Sequence, residues 1–268
     1  MSTLTKNAIR FAVVLFVFAL VFSSVHFAMA AVGKDARVTQ VFRDVRLLAS
    51  HAAPRPATLN DNIHAGTAVR TGSDSRAELT FTDQTITRLG ANSVFGFGEG
   101  GKSYDLGSGA ILMYAPKEAG TVKINTAVAT AAVSGFTMIY EFHNANWNKC
   151  VMIEGDGRVT LTRYPNQSRD LHSGQLIVFR PDATTLPEPE DFDVCKLIKK
   201  SRLITQFGKL PSYDLMLSIC QRLQTSPLNG KLVDPTNVDA LDQNSSAHPH
   251  PPPPPPPQPS PDGELRRR

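Results

Sequence analysis

From Ala36 onward, apolar and polar residues alternate in short runs, and clusters of Gly, Asn, Asp and Ser interrupt them about every ten residues. Residues 37–45 set Val and Phe at alternating positions. Residues 76–81 alternate cleanly, and residues 85–89 repeat the pattern after the turn Thr82-Asp83-Gln84. Further runs at 93–97, 110–114, 122–125, 127–132, 136–142, 151–154, 158–162 and 175–179 read as strands. Gly107-Ser108-Gly109 reads as the turn before 110–114, and Gly155-Asp156-Gly157 as a tight hairpin between two strands. Period two turns one face of each strand inward, so Val, Ile, Leu and Phe should fill a core between layers. The predicted class is all-β, as a sandwich, roll or stacked β-coil.

The period changes after Pro181. Pro187-Glu188-Pro189 is a linker and Asp191 can cap a helix. Val194, Leu197, Ile198 and Ile204 fall at helical spacing, with Lys196, Lys199, Lys200 and Arg202 on the other faces. Beyond Gly208 and Pro211, Ser212 can cap a second helix with the stripe Met216, Ile219, Cys220 and Leu223. So short a connection predicts an antiparallel helical hairpin. The expected division is residues 36–180 as the β domain and 187–226 as the hairpin.

The two ends have different compositions. Lys6 and Arg10 precede an unbroken apolar run over residues 11–22, and Ala28-Met29-Ala30 offers a small-x-small cleavage site before Ala31. Residues 1–30 therefore read as a signal peptide, since the run is shorter than the roughly 20 residues of a span. The rival reading stretches the run to Phe27 and leaves it as an uncleaved anchor. Residues 227–268 read as a disordered tail. Pro251 to Pro257 are consecutive, and proline fixes φ and lacks an N–H, which leaves an extended polyproline rod or a broken coil.

Removing Lys6 and Arg10 takes the formal charge from +4 to near +2, of which Arg266-Arg267-Arg268 accounts for more than the whole. The balanced remainder has no concentrated basic stripe and argues against nucleic acid. Export to an oxidising compartment gives the three cysteines meaning. Cys195, early in the first helix, and Cys220, late in the second, should stand at similar height, and a disulfide between them is the preferred pairing, with Cys150 the odd thiol; the alternative is three buried, reduced cysteines.

Candidate chemistry is sparse. Gly96-Phe97-Gly98-Glu99-Gly100-Gly101 has the spacing of a dinucleotide loop, but β sequence follows it where a helix is needed, so it reads as a hairpin loop. His51, His64, His143 and His172 show no ligand-like pairing, and no metal or cofactor is implied. No Gly-x-Ser-x-Gly elbow exists, and a glycosidase would need two carboxylates converging in the fold. Tyr140 and Trp147 are the aromatics placed to stack on sugar.

Several of these turns together resemble the FecR protein domain, an exported domain. Leu59-Asn60-Asp61-Asn62-Ile63 stands for the family's first signature, with Asn60 in place of the usual glycine. Gly66 and Val69-Arg70-Thr71-Gly72 continue it, with Thr67 for the usual acid, and residues 75–81 match the next strand. Asp83-Gln84-Thr85 stands where the family prefers Asp-Gly-Ser, and Gly90-Ala91-Asn92-Ser93 resembles its next turn. Leu106-Gly107-Ser108-Gly109-Ala110 and Ser173-Gly174-Gln175 resemble later ones. Ala132-Val133-Ser134-Gly135-Phe136 departs from the usual Val-Arg-Gly-Thr at Ser134 and Phe136. The resemblance spans residues 36–180.

Best-known members of the family are membrane signal transducers with a cytoplasmic segment that acts on a sigma factor; only nine residues precede Arg10 here. Other members are secreted. The expectation is thus a non-catalytic periplasmic or secreted module that binds an envelope protein or wall polymer. A proline spacer reaching about 40 Å would extend from it. The alternative is a sensory or regulatory protein anchored in the inner membrane and facing the periplasm, with membrane contact only if the signal segment is uncleaved.

Overall fold

The computed structural model describes residues 35–50, 52–143, 146–227 and 232–236. The cleavage site Ala28, Ala30 and Ala31, the apolar run and the proline tail lie outside them. The alternating runs form fifteen strands: β1 (Ala36–Phe42), β2 (Val45–Leu48), β3 (Arg55–Pro56), β4 (Asn62–Ile63), β5 (Ala68–Thr71), β6 (Arg76–Phe81), β7 (Ile86–Leu89), β8 (Val94–Phe97), β9 (Ser103–Ala115), β10 (Thr121–Asn125), β11 (Ala129–His143), β12 (Trp147–Leu161), β13 (Ser168–Leu171), β14 (Gln175–Phe179) and β15 (Glu190–Asp191). All belong to one sheet with the main order β15-β14-β12-β11-β10-β9-β7-β6-β1-β4. Strands β2, β3, β5 and β8 continue it from β9, and β13 adds to β12.

Three long strands bend the sheet back over itself. Gly109 in β9, Gly135 in β11 and Gly155 in β12 have φ of 84°, 57° and 98°, a region closed to most side chains. On one side of the bends β11 pairs with β10; on the other it pairs with residues 109–115 of β9. Residues 155–157 are therefore part of one continuous strand, not the hairpin expected there. The Ser173 hydroxyl replaces the interrupted ladder, accepting from the Gly155 N–H at 2.9 Å and donating to its carbonyl at 3.1 Å. Likewise β9 runs through the expected turn at 107–109.

Between the two layers lies a core of inward residues from both. Phe81 of β6 meets Phe97 and Tyr104 edge-on across it, with centroids 5.0 and 5.3 Å apart. The outward residues of one layer are buried as well. Arg88, Leu112, Ile139, Val151 and Leu176 are register partners across β7, β9, β11, β12 and β14, and form a row on the outer face. Helices cover this row, so residues 148–153 are buried without interruption. Each such large apolar side chain contributes about 1.5–3 kcal/mol by leaving water.

The covering helices are α1 (Val194–Lys200), α2 (Arg202–Thr205) and α3 (Tyr213–Gln224). Asp193, rather than Asp191, caps α1 by accepting from the Lys196 N–H at 2.8 Å; Asp191 ends β15. Ser201 is extended, with ψ of 121°, and splits the expected first helix into α1 and α2. Cys195 and Cys220 are joined in a disulfide between α1 and α3. Arg88, 1% exposed, anchors the cap. It donates to Glu78 at 2.8 Å, to the Leu203 carbonyl at 3.0 Å and to the Gly208 carbonyl, and lies over the Phe207 ring.

Candidate functional site

The signature positions in β5 to β9 are occupied by backbone bracing. The Ser93 N–H donates to Thr71 Oγ1 at 2.9 Å, while Thr71 donates to the Gly90 carbonyl. Ser93 Oγ donates to the Ala110 carbonyl and accepts from its N–H, at 3.0 and 2.9 Å. Two departures from the family's glycines have a physical reading. Asn60 and Gln84 both have positive φ, 70° and 67°, the conformation for which glycine is the default. Asn tolerates it; Gln does so at more cost. These residues hold turns together and present no reactive group.

The concave chemistry lies at the corner where β11 and β12 bend. A cleft of about 510 Å³ runs between this corner and α3. Its floor is largely bare backbone at Gly135 and Gly155. A Cβ at Gly155 would come within 2.6 Å of the Gly135 carbonyl oxygen, so the close approach needs glycine. Lys117, on the 3-10 turn Lys117–Ala119, covers Gly135 on one side. Across the cleft α3 supplies Leu215, Ser218, Ile219 and Arg222. A shallower cleft of about 300 Å³ shares Ser134 and Asp156 with the first and extends past Arg158 to His172. Ser134, where the family carries arginine, therefore stands between the two.

Glu154 is half-buried in the larger cleft. Its carboxylate lies 3.3 Å from the Thr137 hydroxyl, which is 2.7 Å from Ser212 Oγ at the start of α3. Burial raises the Glu154 pKa above the ordinary carboxyl value; Thr137 and Lys117 oppose the rise, and Asp156 adds to it. Burial and the charges of Glu154 and Glu118 likewise raise the neighbouring Tyr114 phenol. Asp156 itself is turned to His172 Nδ1 at 2.7 Å. Neither Lys117 nor Arg222 makes an ion pair among the described residues.

The residues singled out in the sequence mostly lie elsewhere. Tyr140 is fully buried in the inner core, where burial pushes its phenol and the Cys150 thiol upward. Trp147 meets His143 at a tilt of 45°, with ring centroids 4.2 Å apart, near Lys149 and away from the cleft. His64 meets Asp35 and His172 meets Asp156, on separate parts of the sheet; His51 lies outside the described residues. The glycine-rich segment after Phe97 joins β8 to β9. The carboxylates of the cleft, Glu154 and Asp156, come from one strand, whereas a glycosidase pair flanks its bond from two sides. Sequence reasoning overlooked Lys117, Ser218 and Arg222, because only the bend of two strands 20 residues apart brings them to Glu154.

A braced, glycine-cornered β domain of this kind fits the class expected from its turns. The FecR protein family model matches residues 67–156. Two crystal structures of a candidate anti-sigma factor from Parabacteroides distasonis ATCC 8503 are similar. One is 12% identical with a TM-score of 0.43, covering 50% of this chain and 65% of that one. The other is 13% identical with a TM-score of 0.42, covering 50% and 64%. This chain thus spans less than two thirds of the length of either. Comparison with curated proteins gives no match.

Proposed function

We propose that the protein is an exported, non-catalytic binding module that takes an envelope protein or wall polymer in the cleft between α3 and the β11–β12 corner. The observation that supports this most is the cleft itself: concave, lined by both charged and apolar side chains, with two cations that make no ion pair among the described residues. The Ala28-Met29-Ala30 site supports export and release, and the uncharged length of residues 11–22 favours cleavage over spanning. In Glu154 and Asp156 the cleft has carboxylates suited to holding donors rather than to acting from opposite sides of a bond.

Two measurements on the native protein test the reading. N-terminal sequencing of each cell fraction should find a chain beginning at Ala31 in the soluble periplasm or the medium. An intact N-terminus in the membrane would favour an anchored sensor instead. Purified protein should co-sediment with washed envelope material, and Ser218→Trp, which fills the cleft from the exposed side of α3, should abolish it. Unchanged sedimentation of a folded Ser218→Trp protein would remove the cleft from the binding reaction.

A further inference from the structure

The cleft's charges define a ligand more narrowly. Four ionisable side chains line it, and they are not equally engaged. Asp156 is held by His172. Glu154 is half-buried against Thr137, and its negative form is disfavoured there. Lys117 and Arg222 are exposed, make no ion pair among the described residues and lie on different walls. An occupant therefore meets two unpaired cations on opposite walls, with Glu154 partly withdrawn and Asp156 already engaged by His172, and an anionic group that reaches both cations gains most. Beside Arg222, one and two turns back along α3, Ile219 and the 48%-exposed Leu215 form the apolar part of the wall. The hydroxyls of Ser134, Ser173 and Ser218 and the glycine backbone supply neutral hydrogen-bonding groups between them. No aromatic side chain lines the cleft, so the stacking surface that favours a sugar ring is missing while an aliphatic side chain has a place. The volume lies within the ~300–1,000 Å³ of small-ligand sites.

Resting on the reading of this cleft as the binding site, we infer that its ligand is an extended peptide segment carrying a carboxylate, which Lys117 and Arg222 hold while Leu215 and Ile219 take an adjacent aliphatic side chain. The titratable groups lining the cleft are Lys117 on the 3-10 turn, Glu154 and Asp156 on β12 and Arg222 on α3; Glu118, Tyr114 and His172 lie behind them as neighbours of Glu154 and Asp156. Glu154 and Asp156 both repel the anion from within the cleft, and of the two only Asp156 is bonded to a histidine. Neutralising Glu154 strengthens binding.

The probe is acetyl-Ala-Ser-Leu with a free C-terminal carboxylate, titrated at pH 7.5 into the ¹⁵N-labelled full-length mature protein and read from amide shifts of Gly135, Gly155 and Ser173. The C-terminal amide of the same peptide and an oligogalacturonate trimer serve as competitors of different chemistry. The acid peptide should move these amides in a saturable way, and its amide should bind at least tenfold more weakly. Lys117→Ala and Arg222→Ala should each weaken binding by fivefold or more, with Arg222→Lys retaining most of it. Glu154→Gln should tighten binding about threefold. Equal binding of acid and amide overturns the inference, as does preference for the uronate or an absence of shifts up to 20 mM peptide, roughly the weakest useful affinity. If those results appear while envelope material still sediments and Ser218→Trp still abolishes it, the peptide class fails and the cleft remains the binding site.

Discussion

The two layers of the sheet present opposite outer faces. On one, the row across β7, β9, β11, β12 and β14 reads Arg88, Leu112, Ile139, Val151, Leu176, and the helices bury it. On the other, the row across β9, β10, β11, β12 and β13 reads Ser103, Lys123, Ala132, Arg158, Asp170. Its neighbour reads Asp105, Asn125, Thr130, Thr160, Ser168. These side chains bond to one another, as Asn125 does to Ser103 and Asp105, and Arg158 to Asp170. The same strands β9, β11 and β12 cross both layers and change composition at their bends. Which partner a stretch of strand receives, helix or water, is thus written residue by residue on either side of Gly109, Gly135 and Gly155. The cleft lies where the covered face gives way to the open one.

The contrast can be broken first at the only cation in the covered row. Arg88→Ala leaves the buried Glu78 with Thr39 and Gln40 but without its cationic partner, frees the Leu203 and Gly208 carbonyls, and should destabilise by about 3–5 kcal/mol in urea unfolding. A loss below about 1 kcal/mol would mean that the cap is not held through this residue. Next, Cys195→Ser/Cys220→Ser removes a link across 25 residues and should lower stability by roughly 3 kcal/mol, with the loss concentrated in amide exchange of α1 and α3. A like-for-like test of the two faces removes one methyl from each. Ile139→Val should cost about 0.5–1.5 kcal/mol, whereas Thr160→Ser should stay within about 0.5 kcal/mol. Equal losses would refute the distinction.

The smallest effects are those of pH, and they have opposite signs. Glu154 is raised by burial, so the stability it contributes is full below the unfolded carboxyl range and lost as pH rises through its native value. Glu154→Gln should therefore raise the Tm at pH 8, and the gain should fade toward pH 4. Burial acts to raise Asp234, but Lys196 and Thr236 hold it down to about 2. Its contribution is present above the unfolded value of about 3.9 and is lost as pH falls toward 2. Asp234→Asn should accordingly lower the Tm at pH 7 and make no difference at pH 2. Thermal melts across pH with both variants check the signs.

Strand existence was legible because alternation survives in β1, β6, β7, β8 and β10, where one face points into the inner core. What was misread were the glycines. Gly109 and Gly155 carry turn signals, yet long-range pairing continues through them, since Ser93 and Ser173 supply the hydrogen bonds that the ladder loses. Chain direction after a glycine depends on partners 17 or more residues away, and no local pattern reports these. The uninterrupted buried run of β12 announces a second cover, since a strand with one wet face would alternate. The cleft was nearly illegible: Glu154 and Asp156 look like ordinary solvated charges, and Lys117 and Arg222 are separated by 105 positions.

Residues 232–236 bear on what happens under mechanical load. Val233 bridges Phe192, the Lys149 ammonium donates to the Pro235 carbonyl at 2.9 Å, and Lys196 pairs with Asp234. Lys149, only 4% exposed, is also paired with Glu141 at 2.8 Å. A pull on the chain beyond Thr236 reaches this strap first and peels it one contact at a time. Tension then enters α3 and crosses at Cys220 to Cys195, a covalent shortcut that leaves residues 196–219 out of the line of force. The strap yields before the sheet is loaded, and Leu215, Ser218 and Ile219 of the cleft wall are shielded from the strain while Arg222 is left within the loaded segment.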